Sequence, residues 1–136
     1  MKSIGLVPEL YSSSIQETLS FYVGILGFEV VYQRPEEKFM YLQKGNAEMM
    51  FEEVGVGRNW ITATLERPYG RGINFQIEVE NINDLYNSIT INKIKPFLSI
   101  EDKWYQKNEI LVGNRQFIVQ DPDGYLLRFY QDLGEK

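Results

Sequence analysis

Asp121-Pro122-Asp123-Gly124-Tyr125-Leu126-Leu127-Arg128-Phe129 reads as an aspartate-bearing turn that feeds a strand. The short carboxylates of Asp121 and Asp123 can bond the amides of their own turn, Pro122 presets φ, and Gly124 takes dihedrals that a side chain resists. The strand behind this turn has a counterpart earlier in the chain. Met49-Met50-Phe51 stands 78 residues ahead of Leu127-Arg128-Phe129, and the helical stripe Ile15, Leu19, Tyr22 stands 67 residues ahead of Ile82, Tyr86, Ile89. The two offsets define a duplicated chain whose second half carries about eleven extra residues, assigned to Ile100–Arg115.

The first half opens on a strand over Ile4–Tyr11. Ser12-Ser13-Ser14 follows, and Ser14 with Glu17 fits a capping box. Ile15, Leu19, Tyr22 and Leu26 then recur at helical spacing and predict one amphipathic helix, ended by Gly27 in the left-handed region. Strands are expected at Phe28–Gln33, Lys38–Gln43 and Glu48–Val54, the last two joined by a hairpin turn at Lys44-Gly45-Asn46. Gly55–Arg71, punctuated by Gly55, Gly57, Pro68 and Gly70 and holding Trp60 and a short Ile61–Leu65 strand candidate, reads as a connector. The second half repeats the order: a strand at Ile73–Val79, a helix capped by Asn81 or Asn83 with the stripe Ile82, Leu85, Tyr86, Ile89, and strands around Pro96–Ile100, Trp104–Val112, Gln116–Val119 and Tyr125–Tyr130. The expected organisation is a single domain over 1–136, with a module over about 4–54, the connector over 55–71 and a second module over about 72–131. Its class is α+β, in two tandem βαβββ modules.

The chain has 136 residues, a net charge of −5, no histidine and no cysteine. One domain's worth of core fits this length. The acidic balance argues against nucleic acid, whose phosphates require a basic face. With neither histidine nor cysteine, thiolate chemistry, disulfides and a His-activated serine are all excluded. Gly55-Val56-Gly57 does not lead from a strand into a helix as a phosphate loop must. Met1-Lys2-Ser3-Ile4 lacks the apolar stretch of a signal peptide and no run has membrane-spanning length, so a cytoplasmic location and no membrane partner are expected. Aromatic residues make 14% of the chain, more than a core of this size needs, and flat pocket walls are the natural use of the excess.

Phe21-Tyr22-x-x-x-Leu26-Gly27-Phe28 and Asp121-Pro122-Asp123-Gly124 together resemble the vicinal oxygen chelate superfamily, which contains glyoxalase I, extradiol dioxygenases and bleomycin resistance proteins. The resemblance implies curved mixed sheets that form a groove, completed in a homodimer. It also implies a divalent metal in the superfamily's enzymes, held at positions that fall here on Val7, Met50, Asn74 and Arg128. A valine cannot ligate, a thioether suits soft ions, and an arginine is a permanent cation, so no metal and no cofactor are expected. The ending Asp121–Arg128, Pro8-x-Leu10 and Phe39-Met40-x-Leu42-Gln43-Lys44-Gly45 are similar to the bleomycin resistance branch in particular. That similarity implies a protein that sequesters a large cationic glycopeptide without turning it over. The rival readings are a glyoxalase-like lyase or isomerase, a dioxygenase relative, and a binder of an unrelated metabolite.

A groove binder of this kind needs rings to stack a ligand and carboxylates to neutralise it. The candidate ligand-binding residues are Phe39, Tyr41, Phe51, Trp60, Trp104, Tyr105, Glu48 and Arg128. Phe39 and Tyr41 share a strand face, and Phe51 on the partner strand is expected to converge with them. Trp60 occupies the glycine-flanked connector, and Trp104-Tyr105 the extra segment of the second half. Glu52, Glu53, Glu101 and Asp102 are further acidic candidates. Arg128 is expected to be neutralised by Glu48 or another carboxylate. No residue is assigned a catalytic role.

Overall fold

The computed structural model describes residues 4–136; the reading of Met1-Lys2-Ser3 lies outside the described residues. The chain divides into two compact units, the first ending at Tyr69 and the second spanning Gly70–Lys136.

In the first unit β1 (Glu9–Ser12), α1 (Ile15–Leu19), β2 (Glu29–Arg34), β3 (Phe39–Lys44) and β4 (Ala47–Glu53) build a four-stranded sheet of order β1-β4-β3-β2, with β1 parallel to β4 and the other pairs antiparallel. The second unit repeats it with β5 (Asn74–Glu78), α2 (Ile82–Ile91), β6 (Leu98–Lys107), β7 (Ile110–Gln120) and β8 (Leu126–Glu135), in the order β5-β8-β7-β6. Two mixed sheets with few helices are the α+β, twice-βαβββ architecture expected from the repeat.

The local signals act as their chemistry requires. The Ser14 hydroxyl accepts the Glu17 N–H at 3.3 Å, and the Asn81 side-chain oxygen accepts the Asp84 N–H at 3.2 Å, each relieving an orphan donor of a first turn. Gly27, at φ +80°, reverses the chain, and the Phe28 N–H reaches back to the Tyr22 carbonyl at 2.9 Å. Asp121 Oδ1 accepts three successive amide N–H groups, those of Asp123, Gly124 and Tyr125, at 2.9–3.0 Å. The turn is thereby fixed in front of β8 without any role in chemistry.

Several expectations are corrected. The first helix is α-helical only to Leu19 and continues as a π-helical stretch over Ser20–Ile25. The wider turn brings the neighbours Phe21 and Tyr22 both inward, so Thr18, Phe21, Tyr22 and Leu26 are buried while Ile15 and Leu19 are half-buried. β1 starts at Glu9 rather than at Ile4, and Ile61–Leu65 forms no strand. The candidates Pro96–Ile100 and Trp104–Val112 are replaced by one long hairpin, β6–β7, which turns at Asn108-Glu109. β6 and β7 have 10 and 11 residues where β3 and β4 have 6 and 7, which is where much of the second half's excess lies. β8 runs on through Glu135, past the expected end of the last strand at Tyr130.

Each sheet has one face against its helix. Leu10, Met40, Leu42, Met49 and Phe51 are buried in the first unit, where the Phe51 and Tyr22 ring centroids lie 4.6 Å apart. Ile77, Phe117, Val119, Leu127 and Phe129 are buried in the second, where Phe117 meets Tyr86 edge-on at 5.1 Å. Among the described residues no helix is long and apolar enough to cross a membrane.

Candidate functional site

Strand alternation places a second set of side chains on the face of the first sheet turned away from its helix. Cross-strand register puts Tyr41 beside Met50, Phe39 beside Glu52 and Gln43 beside Glu48, while on the far side of β4 Glu9 is level with Met50 and Tyr11 with Glu52. Tyr32 lies opposite Tyr41 and stacks on it at 5.2 Å. The face therefore carries the rings of Tyr11, Tyr32, Phe39 and Tyr41 together with the carboxyls of Glu9, Glu48 and Glu52. Glu48 and Glu52 are each only 5% exposed. The Tyr41 hydroxyl donates to Glu48, whereas Glu52 Oε1 is buried with no hydrogen-bond partner among the described residues.

Phe39 and Tyr41 share a face as expected, but Phe51 does not join them. It pairs with Met40, points to the helix and is fully buried against Tyr22. A residue opposite the even-numbered Met40 cannot share a face with the odd-numbered Phe39 and Tyr41. Glu53 also turns out to be structural. One oxygen accepts the Ile15 N–H at the start of α1 and the other accepts from Lys38 Nζ, both at 3.0 Å. The backbone bond first, then Lys38, holds its carboxyl below the usual range.

Trp60 is 66% exposed and tied to β1 through Tyr11, whose hydroxyl donates to the Arg58 carbonyl at 2.6 Å and accepts the Trp60 N–H at 2.9 Å. The Arg58 guanidinium lies over the Trp60 ring at 3.9 Å. Phe39 likewise carries Arg34 at 3.9 Å, and Trp104, in the second unit, carries the Lys136 ammonium at 4.1 Å. Three of the candidate rings thus already hold an internal cation at stacking distance.

In the second unit Trp104 and Tyr105 are consecutive on β6 and face opposite ways, so they do not form one wall. Trp104 lies over Gly113, where a Cβ would meet the indole at 2.7 Å; only glycine admits the ring so close. The Tyr105 hydroxyl accepts from Gln116 Nε2 at 2.7 Å, and the same amide donates to Glu101 at 2.9 Å. Asp102 is paired with Arg115 at 2.8 Å, which holds its carboxyl below the ordinary range. Within its own unit Arg128 meets an amide and no carboxylate. Its Nη2 donates to the neutral Gln76 side chain, the residue level with it on β5, and its Nε is buried without a partner.

Val7 stands ahead of β1 and Asn74 opens β5, while the residues level with Met50 and Arg128 are Glu9 and Gln76. Neither set suits a hard divalent ion: one pair offers a thioether and the other a guanidinium bonded to its own neighbour. Among the described residues no three histidine, cysteine or acidic side chains cluster as a metal site. The residues do not fit the metal of the superfamily's enzymes.

The profile of the glyoxalase/bleomycin resistance protein/dioxygenase superfamily matches residues 6–129. The chain belongs to this superfamily. It is 27% identical to bleomycin resistance proteins of Geobacillus stearothermophilus and Staphylococcus aureus, over 93% of this chain and 96% of theirs. Among solved structures it is similar in fold to TioX from Micromonospora sp. ML1, with a TM-score of 0.72 at 18% identity, covering 94% of this chain and 98% of that one. A bleomycin resistance determinant encoded on the transposon Tn5 gives a TM-score of 0.62 at 21% identity, covering 96% and 99%.

The sequence reading passed over Glu9, Tyr11, Tyr32 and Arg34. Glu9 and Tyr11 alternate along β1 in phase with Met50 and Glu52, a signal available once the β1–β4 register is known. Tyr32 was hidden, because a bulge between Val30 and Tyr32 shifts which residue faces Tyr41.

Proposed function

We propose that the protein captures a cationic, ring-bearing small molecule, in its sharpest form a bleomycin-type glycopeptide, and confers resistance by holding the drug without turning it over. The observation that carries this reading is the pairing, on one sheet face, of the rings of Tyr32, Phe39 and Tyr41 with the buried carboxyls of Glu48 and Glu52. Buried carboxyls are costly unless something cationic or hydrogen-bonding meets them, and rings beside them add stacking and cation–π attraction. The kinship with bleomycin resistance proteins supports the choice of drug class. Trp60 serves as an outer ring contact, and the guanidinium now resting on it marks a face that a ligand's own charge would take over. Arg128 acts through Gln76 as a fixed polar support rather than as a ligand contact.

No metal takes part in this function. Elemental analysis after dialysis is expected to find no stoichiometric zinc, nickel or iron, and about one ion per chain would contradict it. The working form is a cytoplasmic homodimer, a neighbour completing the groove. Light scattering at micromolar concentration is expected to give twice the chain mass, and a monomer mass would contradict it. Calorimetric titration with a bleomycin-type drug is expected to show saturable heat; none at near-millimolar drug would remove the sequestration reading in favour of an unrelated metabolite.

A further inference from the structure

Glu52 is the least explained side chain of the first unit. It is 5% exposed, and Oε1 is buried without a partner among the described residues. What stands against that oxygen is the connector: a Cβ placed on Gly57 would lie 2.0 Å from Oε1 and 3.0 Å from the carboxyl carbon. Gly57 is outside the left-handed region, so what a side chain there would disturb is the seat of the carboxyl and not the backbone. Gly55, at φ +84°, bends the chain just after β4. Beyond Gly57 the segment is fastened by the Tyr11 hydroxyl, which bonds the Arg58 carbonyl and the Trp60 N–H. Tyr11 is level with Glu52 across the β1–β4 ladder.

We propose that residues 55–60 are a latch over an ammonium-binding subsite built on Glu52. The subsite rests on the reading of the protein as a binder of cations and assigns one such charge to one carboxyl. Oε1 is the oxygen walled in by the connector, and a single N–H donor reaching it suits the compact ammonium of a protonated alkyl amine, which needs no second oxygen as a guanidinium fork does. Tyr11 and Phe39, the neighbours of Glu52 on its two sides, supply aromatic surface for such a cation, and Trp60, on the latch itself, presents an exposed ring. In the closed form the buried oxygen has no donor among the described residues, a cost that a bound ammonium removes. Opening at Gly55 and release of the Tyr11 bonds are what admit it.

The test uses the full chain, with spermine as the amine probe and a bleomycin-type drug as a separate arm. Trp60 moves with the latch, so spermine should change tryptophan fluorescence saturably in the wild type. Glu52→Gln keeps the shape and removes the charge. It should weaken spermine binding at least tenfold and raise the melting temperature of the free protein, since a merely structural carboxyl would lower it on removal. Tyr11→Phe frees the fastening while leaving Glu52 in place and should speed spermine association severalfold. Equal spermine affinity in wild type and Glu52→Gln, or no spermine binding by the wild type, would overturn the subsite. Drug bound by the wild type and held equally well by Glu52→Gln, with spermine affinity also unchanged, would overturn the subsite while leaving sequestration intact. Spermine binding lost in Glu52→Gln, with no drug binding by the wild type, would sustain the subsite and refute the drug.

Discussion

The two sheets are near-copies on one face and strangers on the other. Toward the helices, Phe51 corresponds to Phe129, Met49 to Leu127, Met40 to Phe117, Leu42 to Val119 and Leu10 to Ile77, and all ten are buried. On the opposite faces Met50 corresponds to Arg128, Glu48 to Leu126, Glu52 to Tyr130, Phe39 to Gln116, Tyr41 to Ile118 and Glu9 to Gln76. A packed core is closed by apolar side chains that together fill its volume, and both helix faces meet that demand. The other faces answer to no such constraint, and there the first half is acidic and aromatic while the second carries a cation and an amide network. Function is to be sought where the repeat breaks.

The strongest way to break this comparison is through the two matching faces. Phe51→Ala and Phe129→Ala should each destabilise the protein by about 3–5 kcal/mol, the range for a large buried aromatic replaced by alanine. Denaturant unfolding checks this, and a cost below about 1 kcal/mol at Phe51 would return that ring to the ligand face. Phe39→Ala, by contrast, should cost less stability than Phe51→Ala and more affinity for the drug.

A smaller effect sharpens the contrast through pH. Glu53 in the first half and Asp102 in the second both have carboxyls lowered on folding, the first chiefly by the Ile15 N–H, the second chiefly by Arg115. A lowered folded value means stability present above the ordinary carboxylate range and lost as the pH falls through the folded value. The stability gap between wild type and Glu53→Gln should therefore close on acidification from pH 7 toward pH 3, as measured by urea unfolding. The Asp102→Asn gap should close likewise, but it should also shrink in salt, since that pair is exposed and screened within about 10 Å at 0.1 M. A Glu53 gap that widened in acid would reverse the assigned sign.

Much of the scaffold was legible in the chain. The offsets of 67 and 78, the caps at Ser14 and Asn81, the reversal at Gly27 and the Asp121 turn all act locally, through hydrogen bonds and dihedrals that neighbouring residues determine. The site was legible only in part, because it depends on register. Phe39 and Tyr41 share a face by simple alternation, whereas the place of Phe51 required the count across the Gly45-Asn46 turn, and Tyr32 required a bulge that leaves no mark in composition. The π-helical stretch was equally silent, since its side chains match an ordinary amphipathic helix to within one position. The partner of Arg128 was missed because a costly buried cation suggests a carboxylate, and the chain answers with Gln76.

The claim that matters most is that the first half's acidic, aromatic face receives the ligand. Calorimetric titration of a bleomycin-type drug into the wild type, Phe39→Ala and Arg128→Met tests it most directly. The account predicts saturable binding by the wild type, a loss of about tenfold or more in Phe39→Ala, and affinity within about threefold of wild type in Arg128→Met, tenfold being 1.4 kcal/mol. Binding that survives Phe39→Ala and collapses in Arg128→Met would place the ligand on the other half and contradict it.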